Sequence, residues 1–142
     1  MAENPISFHA DGIDFDLNQK DAVRNWLLNA IDNEGFEAGE LAFVFTGDES
    51  LLEINQKYLN HDTYTDIITF DYSEDKTVSG EIYISLERVR DNALTYSVDS
   101  TKELHRVMIH GVLHLCGYSD KDSDLKAIMT SKEDYYLSLR TF

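Results

Sequence analysis

The chain of 142 residues has one cysteine, one proline and one tryptophan, and 12 lysines and arginines against 27 aspartates and glutamates. Each shortage excludes something. A lone Cys116 rules out an internal disulfide framework and fits a reducing compartment. On an apolar stretch it is expected to be a small core residue. With a single proline and a hydrophobic content of 42%, the chain is neither disordered nor of low complexity. The formal net charge of −15 removes the broad basic surface that nonspecific nucleic-acid binding requires. It leaves room for a small local basic patch or a basic protein partner. No apolar run is long enough to cross a bilayer and no signal peptide is recognisable. No membrane role and a cytoplasmic location are therefore expected, for one domain over residues 1–142.

The element order follows from punctuation and periodicity. Pro5–His9 reads as a first strand, and Asn18 is expected to cap a helix whose stripe is Val23, Trp26, Leu27, Ala30 and Ile31. Leu41–Phe45 is a continuous apolar run, as in a strand buried on both faces. Asp48 is expected to cap a helix carrying Leu51, Leu52, Ile54 and Tyr58. Leu59–Thr65 is a polar loop. Ile67–Tyr72 and Glu81–Ser85 are strand-like across a short polar segment and are expected to pair antiparallel. Leu86–Tyr96 marks a helix. Leu125, Ile128, Met129, Tyr136 and Leu139 mark the last one. The fold class is α+β (mixed α/β), with a four-stranded mixed sheet packed by helices.

The most informative stretch is Ser100–Asp120. Ser100 and Glu103 form a capping-box pattern, and the apolar residues that follow cover nearly the whole helix surface. His110 and His114 are four apart, which places both imidazoles on one helix face with Cβ atoms roughly 6 Å apart. Gly117 suits the helix stop, and Asp120, three residues on, is placed to swing under the helix end. Two histidines and one carboxylate form a known donor set for catalytic zinc. Gly111 stands where the H-E-x-x-H zinc helix has its general base, which disfavours the usual metalloprotease chemistry and lets another segment approach closely. Asp66, at the mouth of a strand, is the candidate base; a turn-capping role is its structural alternative.

The run His110-Gly111-Val112-Leu113-His114-Leu115-Cys116-Gly117-Tyr118 resembles the metal motif of the YbeY endoribonuclease family, also called rRNA maturation factors. Thr65-Asp66-Ile67-Ile68-Thr69-Phe70 and Gly80-Glu81-Ile82 resemble two further family segments. Glu103, Met129 and Glu133 match positions of the family pattern. Ser119 stands where the family usually has aspartate, and Asp120 where it usually has its third metal-binding histidine. Leu59 stands where an arginine serves RNA cleavage, and Arg106 where many members have histidine. The resemblance implies a Zn2+-dependent hydrolase of RNA phosphodiester bonds, working in rRNA maturation with ribosomal RNA and the small ribosomal subunit. Its metal ligands would be His110, His114 and Asp120. A carboxylate third ligand shifts preference towards harder ions such as Mn2+. Two alternatives share the residues: a metal-dependent hydrolase of another substrate, and a noncatalytic assembly factor whose partners are basic ribosomal proteins. Leu59 and the net charge favour the latter.

Overall fold

A computed structural model describes residues 5–142. The elements run β1 (Ile6–Ala10), α1 (Lys20–Asn33), β2 (Glu37–Thr46), α2 (Asp48–Leu59), β3 (Ile67–Asp71), β4 (Thr77–Ser85), α3 (Leu86–Tyr96), α4 (Ser100–Leu115) and α5 (Ser123–Ser138). The strands form one mixed sheet in the order β1-β2-β4-β3. β1, β2 and β4 are parallel; β3 pairs antiparallel with β4, from Ile67 opposite Ile84 to Asp71 opposite Gly80. The expected hairpin is therefore present, with β4 starting four residues earlier than the apolar pattern suggested.

β2 is not buried on both faces. Leu41, Phe43 and Phe45 are buried, whereas Ala42 and Val44 between them are half-buried. Register puts Phe43, Ile82 and Thr69 on one face and Val44, Tyr83 and Ile68 on the other. α4 lies across the first face, where Gly111 sits against Ile82 and Ile67: a Cβ there would be 2.9 Å and 3.0 Å from their Cδ1 atoms. The missing side chain is what lets helix and sheet come this close. α1 packs beside α4 on the core. On the second face α2 meets β3 and β4, with the Tyr58 and Phe70 rings 5.8 Å apart.

Three helix starts differ from the sequence reading. Asn18 does not cap α1: Gln19 takes a left-handed conformation there, and no side chain caps. Asp48 is the first residue of α2 after Gly47, and its carboxylate instead accepts from Ser85 Oγ at 2.7 Å and Arg88 Nη2 at 2.9 Å. α4 is capped by Asp99, which accepts from the amides of Thr101 and Lys102, so the Ser100–Glu103 box does not form. An aspartate one residue earlier is an equally good cap, and its use frees Glu103 to turn inward.

Candidate metal centre

α4 ends as its sequence requires. Gly117 has φ 103°, its amide donates to His114 O, and the Tyr118 amide reaches back to Leu113 O. This paired closure is available to glycine without the penalty a side chain would add. It bends the chain beneath the helix end, so that Asp120 returns towards the histidines.

His110 is half-buried and held tightly. Its Nδ1 lies 2.7 Å from Glu133 Oε2, a carboxylate on α5 only 8% exposed. Burial alone would depress this imidazole, but the Glu133 hydrogen bond and charge, with Asp120 behind them, hold its pKa above the ordinary value. Its Nε2 lies 3.5 Å from Asp120 Oδ2. Two donors bound to one zinc at about 2.1 Å in tetrahedral geometry stand roughly 3.4 Å apart, so this span suits a shared ion. His114 is exposed, with its ring nearly parallel to that of His110 and the centroids 6.3 Å apart. Its Nδ1 lies 3.1 Å from the Tyr118 carbonyl, to which it donates. Each histidine thus has Nδ1 engaged by an acceptor, which leaves Nε2 as the nitrogen on offer to a ligand. That pattern fixes a ligating imidazole in other metal sites. Among the described residues, no three histidine, cysteine or carboxylate side chains already close on one point.

These residues line a cleft of about 560 Å³ between α4, the edge strand β3 and the loop that precedes it. Asp66 lies in it, at the entry to β3, with its backbone carbonyl accepting from the Ser85 amide at 3.0 Å. Burial pushes its carboxyl up against the opposing pull of His110, and Asn92 Nδ2 donates to Oδ2 at 3.4 Å. Glu103 is buried in the same wall, and burial raises its carboxyl too. Arg106 donates to Glu133 Oε1 at 2.9 Å and to Asp134 Oδ1 at 2.6 Å, so it is paired within the protein. Leu59 and His61 are exposed on the loop side of the cleft. Cys116 lies outside it; burial pushes its thiol up to about 12, which makes it inert.

Inspection of residue types singled out His110, His114, Asp120 and Asp66, and all four line this cleft. Glu133 was legible only as a position of the family pattern, not as the partner of His110. Its signal was a carboxylate on the buried stripe between Met129 and Tyr136, where a buried charge demands a partner.

A mixed sheet covered by a histidine-bearing helix, with carboxylates from several elements lining one cleft beside its imidazoles, defines an α+β domain with an acidic, histidine-bearing site. Comparison with known proteins places it within that class. The model for the family described as Endoribonuclease YbeY matches residues 6–140, so the chain belongs to that family. It is 51% identical over 134 residues to the endoribonuclease YbeY of Flavobacterium psychrophilum, covering 94% of this chain and 95% of that one. It is 46% identical over 143 residues to that of Cytophaga hutchinsonii, covering all of both. Among solved structures it resembles the solution structure of a Thermotoga maritima protein, with TM-score 0.66 and 25% identity, over 94% of this chain and 87% of that one.

Proposed function

We propose that the chain is a divalent-metal-dependent endoribonuclease that hydrolyses RNA phosphodiester bonds in rRNA maturation, with His110, His114 and Asp120 as metal ligands. The observation that carries this reading is the orientation of the two imidazoles: both Nδ1 atoms engaged, and His110 Nε2 within 3.5 Å of Asp120. The donor set suits Zn2+, and its carboxylate also suits Mn2+. When bound, the ion supplies Lewis acidity towards a phosphoryl oxygen and lowers the pKa of an adjacent water.

The protein's own part is positioning and proton handling. Glu133 and the Tyr118 carbonyl fix the imidazoles in the Nδ1–H form, which presents Nε2 lone pairs. Asp66 is the base: Asn92 occupies Oδ2, and Oδ1 takes the proton from the attacking water. Its pKa, raised by burial, moves it towards the working range of a general base. Gly111 offers no competing base. Ribosomal RNA in the small subunit is the proposed substrate, and a cytoplasmic location follows from it; no helix of the described residues is long and apolar enough to cross a membrane.

The test is elemental analysis of untagged protein together with RNA cleavage. The parent should carry close to one ion per chain, and the His110→Ala/His114→Ala double variant should lose both ion and cleavage. A double variant holding as much metal as the parent would overturn the site. A noncatalytic assembly factor is favoured by one feature, the exposed Leu59 in the cleft wall with Arg106 already paired. Its mark would be subunit binding, through basic ribosomal proteins, with no cleavage under any divalent ion.

A further inference from the structure

The two histidines are not held alike. His110 is packed and clamped by a carboxylate, whereas the ring of His114 is exposed. Among the described residues its one hydrogen bond is to the Tyr118 carbonyl. The orientation of His114 therefore rests on what fixes Tyr118.

Tyr118 is fixed twice. Its amide closes the helix end on Leu113 O at 3.1 Å. Its hydroxyl donates to Glu34 Oε1 at 2.7 Å. Glu34 follows α1 at its C-terminal cap, and its side chain is 9% exposed. The same carboxylate accepts from the Tyr136 hydroxyl and from Lys132 Nζ at 3.3 Å, both on α5. One buried carboxylate thus ties the end of α1, the middle of α5 and the turn after α4 together. Burial alone would raise its pKa, but the bonds from Tyr118, Tyr136 and Lys132 outweigh this and hold the carboxyl below its ordinary value. It is an anion at neutral pH, and a strong acceptor.

We infer that Glu34 is a positioning residue of the metal centre, acting through the Tyr118 hydroxyl to hold the Tyr118 carbonyl against His114 Nδ1 and so to keep His114 Nε2 turned towards the ion. This rests on the ligand assignment above. It goes beyond that assignment in giving a residue some 80 positions away in sequence control over one ligand. Tyr118 also leads the chain to Asp120, so the same anchor steadies the third ligand's approach.

The test compares four variants by two measurements, with the melting temperature as a control. One is Zn2+ affinity by competition with a chromophoric chelator; the other is the His114 tautomer, read from imidazole 15N shifts in metal-free protein. Glu34→Ala and Tyr118→Phe should each weaken zinc binding about 10-fold or more and turn a single Nδ1–H form into a mixture. Glu34→Gln keeps an acceptor for the Tyr118 hydroxyl and should recover most of the affinity. Tyr136→Phe loses a bond to the same carboxylate but leaves the turn alone; it should lower the melting temperature and leave zinc affinity and tautomer unchanged. If Tyr118→Phe and Glu34→Ala bind zinc within two-fold of the parent and keep one tautomer, the inference is wrong while the ligand assignment stands. If the parent's zinc binding is indifferent to His110 and His114, the assignment itself falls, and the tautomer measurement still judges the role of Glu34.

Discussion

Replacing Glu133 with alanine strikes the point where stability and function meet. The carboxylate is nearly buried and serves two donors, His110 Nδ1 at 2.7 Å and Arg106 Nη1 at 2.9 Å. A hydrogen bond to a charged group contributes about 1.5–3 kcal/mol. The Arg106 arm counts for less, about 1 kcal/mol, because its guanidinium is partly exposed and keeps Asp134. Relief of the carboxylate's desolvation offsets some of this, leaving a loss of roughly 2–3 kcal/mol. For 142 residues an unfolding entropy of about 2.1 cal/mol/K per residue makes ~0.3 kcal/mol/K, so the melting temperature should fall by about 7–10 °C. Loss of this partner to a metal-binding imidazole should cost a further 10–100-fold in zinc affinity, beyond the destabilisation. Glu133→Gln retains a hydrogen-bonding side chain and should recover much of the stability, while the His110 pKa falls because the charge is gone. Calorimetry and chelator competition on the metal-free proteins measure both. A Glu133→Ala protein that melts within 2 °C of the parent and binds zinc equally well would refute the reasoning.

Three further outcomes are expected. Asp66→Asn removes a half-buried carboxyl with a raised pKa, so thermal stability should hold or rise while kcat for RNA cleavage drops about 10²–10⁴-fold; equal losses in both would assign Asp66 a structural role. Gly111→Ala gains about 1 kcal/mol of helix propensity, but its Cβ meets Ile82 and Ile67 at 2.9–3.1 Å, an overpacking cost of about 1–3 kcal/mol. A small net loss should show in calorimetry, with a larger fall in activity because Ile67 adjoins Asp66. His105 is buried, with Nδ1 accepting from Arg140; burial and then the Arg140 charge push its pKa to about 4. The unfolded chain therefore takes up a proton near pH 6.5 that the folded one refuses, and stability falls as pH drops from 6.5 to about 4. The full shift would amount to about 3 kcal/mol, and partial solvent access trims this to about 1–2 kcal/mol. Urea unfolding of His105→Phe, which keeps an aromatic ring beside Trp26 and Phe142, should show a flatter slope across that window; an unchanged slope would acquit His105.

What could be read from the residues was what local pattern encodes. The spacing of His110 and His114, the stop at Gly117 and the return of Asp120 are written within eleven residues, and the structure keeps all of them. The β3–β4 pairing followed from two strand-like segments and the short polar connection between them. Helix caps were misread because several adjacent polar residues compete for one role: Asp99 displaced Ser100, and Gly47 preceded Asp48. Glu133 and Glu34 were hidden for a different reason. Their partners lie 23 and 84 residues away, and no periodicity records a contact that exists only after α1, α4 and α5 have packed.

The charge that argued against nucleic acid gains a different meaning once the cleft is laid out. Asp66, Glu103, Asp120 and Glu133 line it, and the one arginine there is already matched by Glu133 and Asp134. Asp66 and Glu103 are raised chiefly by burial, against the pull of His110 on the first and of Arg106 on the second, with Glu133 adding to the rise in both. A phosphodiester, which brings only negative charge, gains nothing from such a wall. A divalent cation does, because each acidic group that repels the phosphate attracts the ion. A basic-groove nuclease collects its substrate over a wide positive surface; on the ligand assignment proposed above, this chain would concentrate attraction at one point, on a cation. On that assignment, an acidic cleft and the reaction of the family are compatible, with the reach for RNA confined to the few ångströms around His110, His114 and Asp120.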